Sequence, residues 1–378
     1  MVAQIAGERM NSMIPQSEII TRLASRFATG TLPASMLLCG PRGVGKWTAA
    51  FELARRITCN RPNGDFGCGE CASCRQLEQF AHPDVQFLFP LPANENDWDA
   101  WYSPYLNSKQ ENPFSPSAAD AKHFIPIEAI RQFQSKLSRR PTLSSFKVGI
   151  IYEAERMLPG TMDSLLKLLE EPPASSFLMV VTHEPRFLIP TILSRLQRIN
   201  LPALEDGFVR TYLESKYAIK DQQLEAMVRF ARGQLYDVAT ILEGDFLQMR
   251  RSALEMIETA LSLAQPDVYT RLGESAALAT REKVEALLRH WQTILRDVLV
   301  VQSGSAASTA PDTNSRLLNV DFRERYEVLA EKIGGLERIE SLSDRLEAIK
   351  GELRRNVNPR MAGLSFLFQL STTKVSIR

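Results

Sequence analysis

Apolar and polar positions along the chain fall into two regimes. From residue 14 to about 201 short apolar runs alternate with stretches of helical period. Ile19, Ile20, Leu23 and Phe27 recur at helical spacing in a segment that Ile14-Pro15-Gln16 opens and that runs through Ala28, before Gly30 and Pro33 end it. Met36 to Cys39 is a buried strand by pattern, and Lys46 to Thr58 the helix after it. Further strands are expected at Val85 to Phe89, Lys147 to Tyr152, Phe177 to Thr182 and Arg198 to Leu201. Helices are expected at Ile127 to Leu137, near Ile189 to Arg195, and around Met162, Leu165, Leu166 and Leu169, where Pro172-Pro173 stops the chain. Residues 91–124 show neither period. Their aromatic residues suit a loop packed on its own domain or a partner-binding insertion.

Strands alternating with helices predict a layered α/β domain with a parallel sheet. After Pro202 the strand signals fade. Asp206 to Glu243, Phe246 to Leu263 and Arg281 to Gln302 read as helix, with Gln265-Pro266 a boundary and Ser303 to Asn314 a flexible linker. The expected domains are 1–203 (α/β), 204–264 (small, helical) and 265–378 (larger, helical).

Composition changes this picture little. At 378 residues, two or three domains are expected. With 45 basic and 44 acidic residues the net charge is +1, so no global field draws the chain to nucleic acid, and any DNA contact is local or shared with partners. No apolar run approaches the roughly 18 residues of a membrane span. Met1 to Met13 lacks the apolar core of a signal peptide. Four of the five cysteines fall within 59–74, which favours a metal site in a reducing compartment and a cytoplasmic protein.

Two stretches carry chemistry. In S-M-L-L-C-G-P-R-G-V-G-K-W-T-A-A (Ser35 to Ala50) a strand, a glycine loop and a helix follow one another, the context of a phosphate-binding loop. Gly40, Gly43 and Gly45 would let backbone N–H groups approach an anion at a helix N-terminus, and Lys46 would reach the terminal phosphates. The competing reading is a merely structural glycine turn. Where the motif wants Ser or Thr to ligate Mg²⁺, this chain has Trp47, whose indole has a donor and no acceptor. Thr48 is the next hydroxyl, but one helical step turns it about 100° away. The loop is suited to holding ATP or ADP and poorly equipped for Mg²⁺-dependent hydrolysis. The second stretch is Cys59, Cys68, Cys71 and Cys74, spaced C-x8-C-x2-C-x2-C with Gly64, Gly67 and Gly69 between them. Four thiolates suit structural tetrahedral Zn²⁺ and leave no open catalytic position. Cys39 is expected in the core, and His82 is expected to be structural.

The phosphate loop, the four-cysteine module, L-L-K-L-L-E-E-P-P (Leu165 to Pro173) and T-I-L-S-R (Thr191 to Arg195) together resemble the bacterial clamp-loader subunits of DNA polymerase III. The likeness covers residues 14 to about 245. Beyond that it rests on helical character and N-V-N-P-R near Asn356. The resemblance implies an AAA+ fold with a helical lid and a collar joining five subunits in a ring. It also implies partners: gamma/tau and delta subunits, the sliding clamp and primed DNA. Thr182 and Glu153 would then belong to the nucleotide site, Glu153 in the water-activating position. Two kinds of subunit fit, the ATP-hydrolysing gamma/tau motor and the stator-like delta-prime. Trp47 lacks the motor's metal-binding hydroxyl, Tyr152 replaces its acidic metal ligand, and Tyr236, in G-Q-L-Y-D-V, replaces an arginine that senses the terminal phosphate. Together these point to a largely non-hydrolysing delta-prime-like subunit. Arg195 matches an arginine finger that reaches a neighbouring subunit's nucleotide; otherwise it is a helix-end cation. A stand-alone zinc-bearing nucleic-acid-binding module is the reading from another class. Arg61 and Arg75 are thin phosphate contacts for it.

Overall fold

The apolar runs become five strands: β1 (Ser35–Cys39), β2 (Val85–Leu88), β3 (Lys147–Tyr152), β4 (Ser176–Thr182) and β5 (Gln197–Asn200). All pair in parallel, in the order β2-β3-β4-β1-β5. Met36 to Cys39 are fully buried because β1 lies between β4 and β5 and is covered by helices, as a parallel strand requires. The computed structural model describes residues 15–62, 64, 66–114, 123–217, 221–236, 246–305, 317–354 and 357–371. Those residues form two compact units, one drawn from 1–217 and 231–240, the other from 218–230 and 241–378. The expected second domain, 204–264, is thus shared between them.

In the first unit the sheet is accompanied by α1 (Ser17–Ala28), α2 (Lys46–Thr58), α3 (Ala72–Glu78), α4 (Trp98–Glu111), α5 (Ile127–Leu137), α6 (Pro159–Glu170), α7 (Pro190–Leu193) and α8 (Asp206–Lys216). The register pairs Cys39 with Thr182 and Tyr152 with Val181, so the C-terminal ends of three neighbouring strands converge. That edge is where open α/β sheets place their ligands.

The stretch 91–124 is not a loop throughout. It carries α4, which packs on its own domain through Tyr105, Leu106 and Lys109, and Phe89 stacks on Tyr105 at 3.9 Å. Pro104 inside the helix and a lysine on its buried face erase the helical pattern from the sequence. Residues 115–122 lie outside the described residues. The helix expected near Ile189 to Arg195 is a single turn, α7. Asp206 to Glu243 divides into α8 and α9 (Asp221–Ala231), and 237–243 lie outside the described residues.

The second unit is helical among its described residues: α10 (Phe246–Ser262), α11 (Gln265–Leu272), α12 (Arg281–Ser305), α13 (Arg323–Ile333), α14 (Leu336–Arg354) and α15 (Pro359–Ser371). Trp291 anchors its core, donating to the Ala253 carbonyl at 3.0 Å and stacking on Phe366 at 4.8 Å. α12 runs into the expected linker as far as Ser305. The remainder of that linker, and Asn356 of N-V-N-P-R, lie outside the described residues. No helix among the described residues is long and apolar enough to cross a membrane.

A candidate phosphate cleft and cysteine centre

The glycine loop lies between β1 and α2 and is held from two sides. Gly43 has φ +69°, and a Cβ there would stand 2.0 Å from the Tyr236 backbone nitrogen. Its carbonyl accepts from the Leu235 N–H at 3.0 Å. Only glycine tolerates both the conformation and the approach. Gly45, at φ +85°, caps α2 and has Pro15 and Phe114 against it. Lys46 is buried. Its ammonium donates to the carbonyls of Gly40, at 2.9 Å, and of Pro41. Burial lowers its pKa to about 8.

A cleft of about 120 Å³ brings together Gly43, Gly45, Lys46, Glu153 and Thr182 of the expected site, along with Tyr152 and Tyr236. It adds groups that the sequence did not single out: Arg42, Lys109, Glu155, Arg156 and His183. Arg42 donates to the Tyr236 hydroxyl at 3.0 Å and lies 5.0 Å from its ring centre. Glu153 holds a left-handed backbone, φ 56°, uncommon for a side-chain-bearing residue, and its carboxylate meets Arg156 at 3.3 Å. Glu155 is tied to the end of β4: Thr182 donates to it at 2.5 Å, and His183 Nδ1 lies 2.5 Å from its other oxygen. Burial pushes the Glu155 carboxyl up, but these neighbours more than offset it, and it ends below the ordinary carboxylate value. The repeat of acids in Y-E-A-E-R and the histidine beside Thr182 were the available signals for this pair; Lys109 had none.

Trp47 does not line the cleft. Its ring is buried in an aromatic cluster with Phe51, Phe80, Phe87 and Tyr152, and it meets Tyr152 edge-on at 5.2 Å between centres. The two departures from a metal-binding loop therefore form one contact, each ring filling space beside the other. Burial, with Glu153 and Glu155 nearby, raises the Tyr152 hydroxyl pKa well above the usual value. Thr48 Oγ1 is buried and makes no hydrogen bond among the described residues.

At the other end of α2 the four cysteine sulfurs converge. All lie within 4.8 Å of one another, with Cys59 and Cys71 3.9 Å apart and Cys68 and Cys74 4.0 Å apart. A tetrahedral ion with bonds of about 2.3 Å needs sulfurs roughly 3.8 Å apart, so the set fits zinc. Backbone N–H groups of Arg61 and Cys68 point at the Cys59 sulfur, that of Cys71 at Cys68, and that of Cys74 at Cys71. Cys71 caps α3. Burial opposes its ionisation, but the Cys74 and Asn60 N–H donors bring its pKa down to about 6. Such donors favour thiolates, the form that a metal binds. His82 is no ligand, as expected. It bonds Ser73 through Nε2 at 2.8 Å and accepts the Asp84 N–H at 3.0 Å, joining α3 to the start of β2. Cys39 is buried in the core, also as expected.

Arg195 stands apart from both sites, just after α7. It is exposed, pairs with Glu170 at 2.8 Å and donates to the Thr191 carbonyl at 3.0 Å.

Residues 15–205 match the family described as DNA polymerase III, delta subunit. The Escherichia coli protein named DNA polymerase III subunit delta' is 25% identical over 291 residues, 77% of each chain. That of Pseudomonas aeruginosa is 31% identical over 159 residues, 42% of this chain and 40% of the relative. DNA polymerase III subunit tau of Salmonella typhimurium is 27% identical over 317 residues, 78% of this chain and 44% of that longer relative. The matched range encloses the glycine loop, the four cysteines and Arg195, so these features belong to one family domain. The chain is a member of the AAA+ clamp-loader subunits of bacterial DNA polymerase III.

Proposed function

We propose that this chain is a delta-prime-like clamp-loader subunit, a stator that hydrolyses little or no ATP itself. It would stand in a ring with gamma/tau and delta subunits and help place the sliding clamp on primed DNA. Residues 204–264 would serve as lid and 265–378 as collar, with structural zinc on the four cysteines. The observation that carries this reading is the Trp47–Tyr152 contact at 5.2 Å, where a motor needs a hydroxyl and a carboxylate around Mg²⁺. Phosphoryl transfer depends on positioning and charge neutralisation, so losing both ligands removes most of the machinery.

Arg195 is the group this subunit gives to a neighbour. Its pairing with Glu170 is solvent-accessible, and exposed pairs contribute only about 0–1 kcal/mol, so the guanidinium can exchange Glu170 for a phosphate on another chain. Arg195→Ala is expected to lower the DNA-stimulated ATPase of the assembled loader while the variant folds and assembles normally. Unchanged ATPase in a loader of normal composition removes the finger assignment. The similarity to tau supports a second reading, a motor in which Thr48 or water replaces the lost ligand. Mg²⁺-dependent ATP turnover by the isolated chain separates the two.

A further inference from the structure

We propose that Phe114 sets what the cleft accepts: a single phosphate group enters, and a nucleoside attached to it does not. The proposal rests on reading the glycine loop as a phosphate site. It narrows that reading by naming the ligand class, inorganic phosphate, and the residue that selects it.

Size is the first observation. The cleft holds about 120 Å³. An engineered cavity of about 150 Å³ takes one benzene ring, whereas pockets that bury drug-sized ligands span about 300–1,000 Å³. One tetrahedral oxyanion fits such a space; a base, a ribose and two phosphates do not. Four cationic side chains, Arg42, Lys46, Lys109 and Arg156, line the cleft with two carboxylates, Glu153 and Glu155. The formal charge therefore favours an anion even after the ion pairs within the cleft are counted.

The second observation is what bounds that space. Pro113 and Phe114 line the cleft just beyond α4, in a stretch that neither the phosphate loop nor Arg195 uses. Pro113 keeps the helix from continuing and turns the chain toward the loop. Phe114 is buried, and the edge of its ring lies against the glycine loop: a Cβ on Gly45, the residue that caps α2, would stand 3.4 Å from it. The same ring meets Tyr212 edge-on at 4.9 Å and Phe208 at 6.3 Å between centres, both on α8. Phe114 thus spans from the phosphate loop to α8.

Polar contacts hold the segment in place. The Tyr212 hydroxyl donates to Asn112 Oδ1 at 3.2 Å, and Lys216 donates to the Glu111 carbonyl at 3.1 Å. A nucleotide has to expel Phe114 from this packing before its nucleoside finds room. The cost of exposing a buried phenylalanine corresponds to roughly tenfold or more in affinity, and inorganic phosphate does not meet it.

Calorimetric titration of the full chain with inorganic phosphate and with ADP tests this. The wild-type chain is expected to bind phosphate. Phe114→Ala is expected to bind ADP about tenfold or more tighter than wild type. Phe114→Leu keeps an apolar contact for Tyr212 and should show a smaller gain, and it carries the test if Phe114→Ala does not melt cooperatively. Equal ADP affinity in all three proteins, or no ADP binding by any of them, overturns the proposal and leaves the phosphate reading standing. No binding of phosphate or ADP by any of them overturns both.

Discussion

One helix, α2, has a candidate ion site at each end, and the two ends have been treated in opposite ways. Thirteen residues separate them, about 20 Å of helix. At the C-terminal end four sulfurs converge at zinc spacing, with backbone N–H groups turned toward them. At the N-terminal end the rings of Trp47 and Tyr152 pack on each other where the loop motif wants metal ligands. Converging sulfurs suit a metal ion, whereas packed aromatic rings offer a hard cation no ligand.

The largest effect is expected at the cysteine end. Zinc binding to small folded modules contributes on the order of 10 kcal/mol, so Cys74→Ser should reduce bound zinc from one per chain to none and unravel the segment around α3. Metal analysis and proteolysis of the purified variant check this. Wild-type protein that is purified without zinc, and resists protease equally well, would show that the two ends of α2 do not differ in this way.

Next comes the packed aromatic end. Trp47→Thr restores the motif hydroxyl but empties a buried site, and large-to-small core changes of this kind cost about 3–5 kcal/mol. Denaturant unfolding should show that loss. Mg²⁺-dependent turnover should not appear, because Tyr152 still faces the position. If Trp47→Thr proves as stable as wild type, the ring is not part of the core and the comparison fails.

A smaller effect sharpens the contrast by a third arrangement, an ion satisfied wholly from within. Asp84 is buried and accepts N–H groups from Thr142, Leu143 and Ser144, with Lys147 at 3.2 Å. Burial pushes its carboxyl up, but these donors more than offset it and hold it well below the ordinary range. Its stabilisation is therefore present above the unfolded carboxylate pKa, near 3.9, and is lost as pH falls below that value. About 2–3 kcal/mol should disappear from the acid limb of a stability profile, and Asp84→Asn should flatten that limb. An unchanged limb in the variant would remove the assignment.

Much of this was legible beforehand, for identifiable reasons. Buried parallel strands write continuous apolar runs, so K-V-G-I-I-Y and S-M-L-L-C declared themselves, and close cysteine spacing announced its cluster. α4 was hidden because Pro104 and Lys109 contradict a helical pattern, and tertiary packing decided the matter. The Trp47–Tyr152 contact was hidden for a different reason. Both substitutions were visible as departures, but only the fold brings residues on α2 and β3 within 5.2 Å. The Glu155–His183 pair likewise depends on strand register, which no local signal encodes.

The central claim is that aromatic rings stand where a working motor needs metal ligands at the N-terminal end of α2. Its most direct test is steady-state ATP turnover by the isolated, zinc-loaded chain across a range of Mg²⁺ concentrations. The account predicts turnover no greater than the buffer background at every concentration. A rate that rises and saturates with Mg²⁺, as in a working motor subunit, contradicts it.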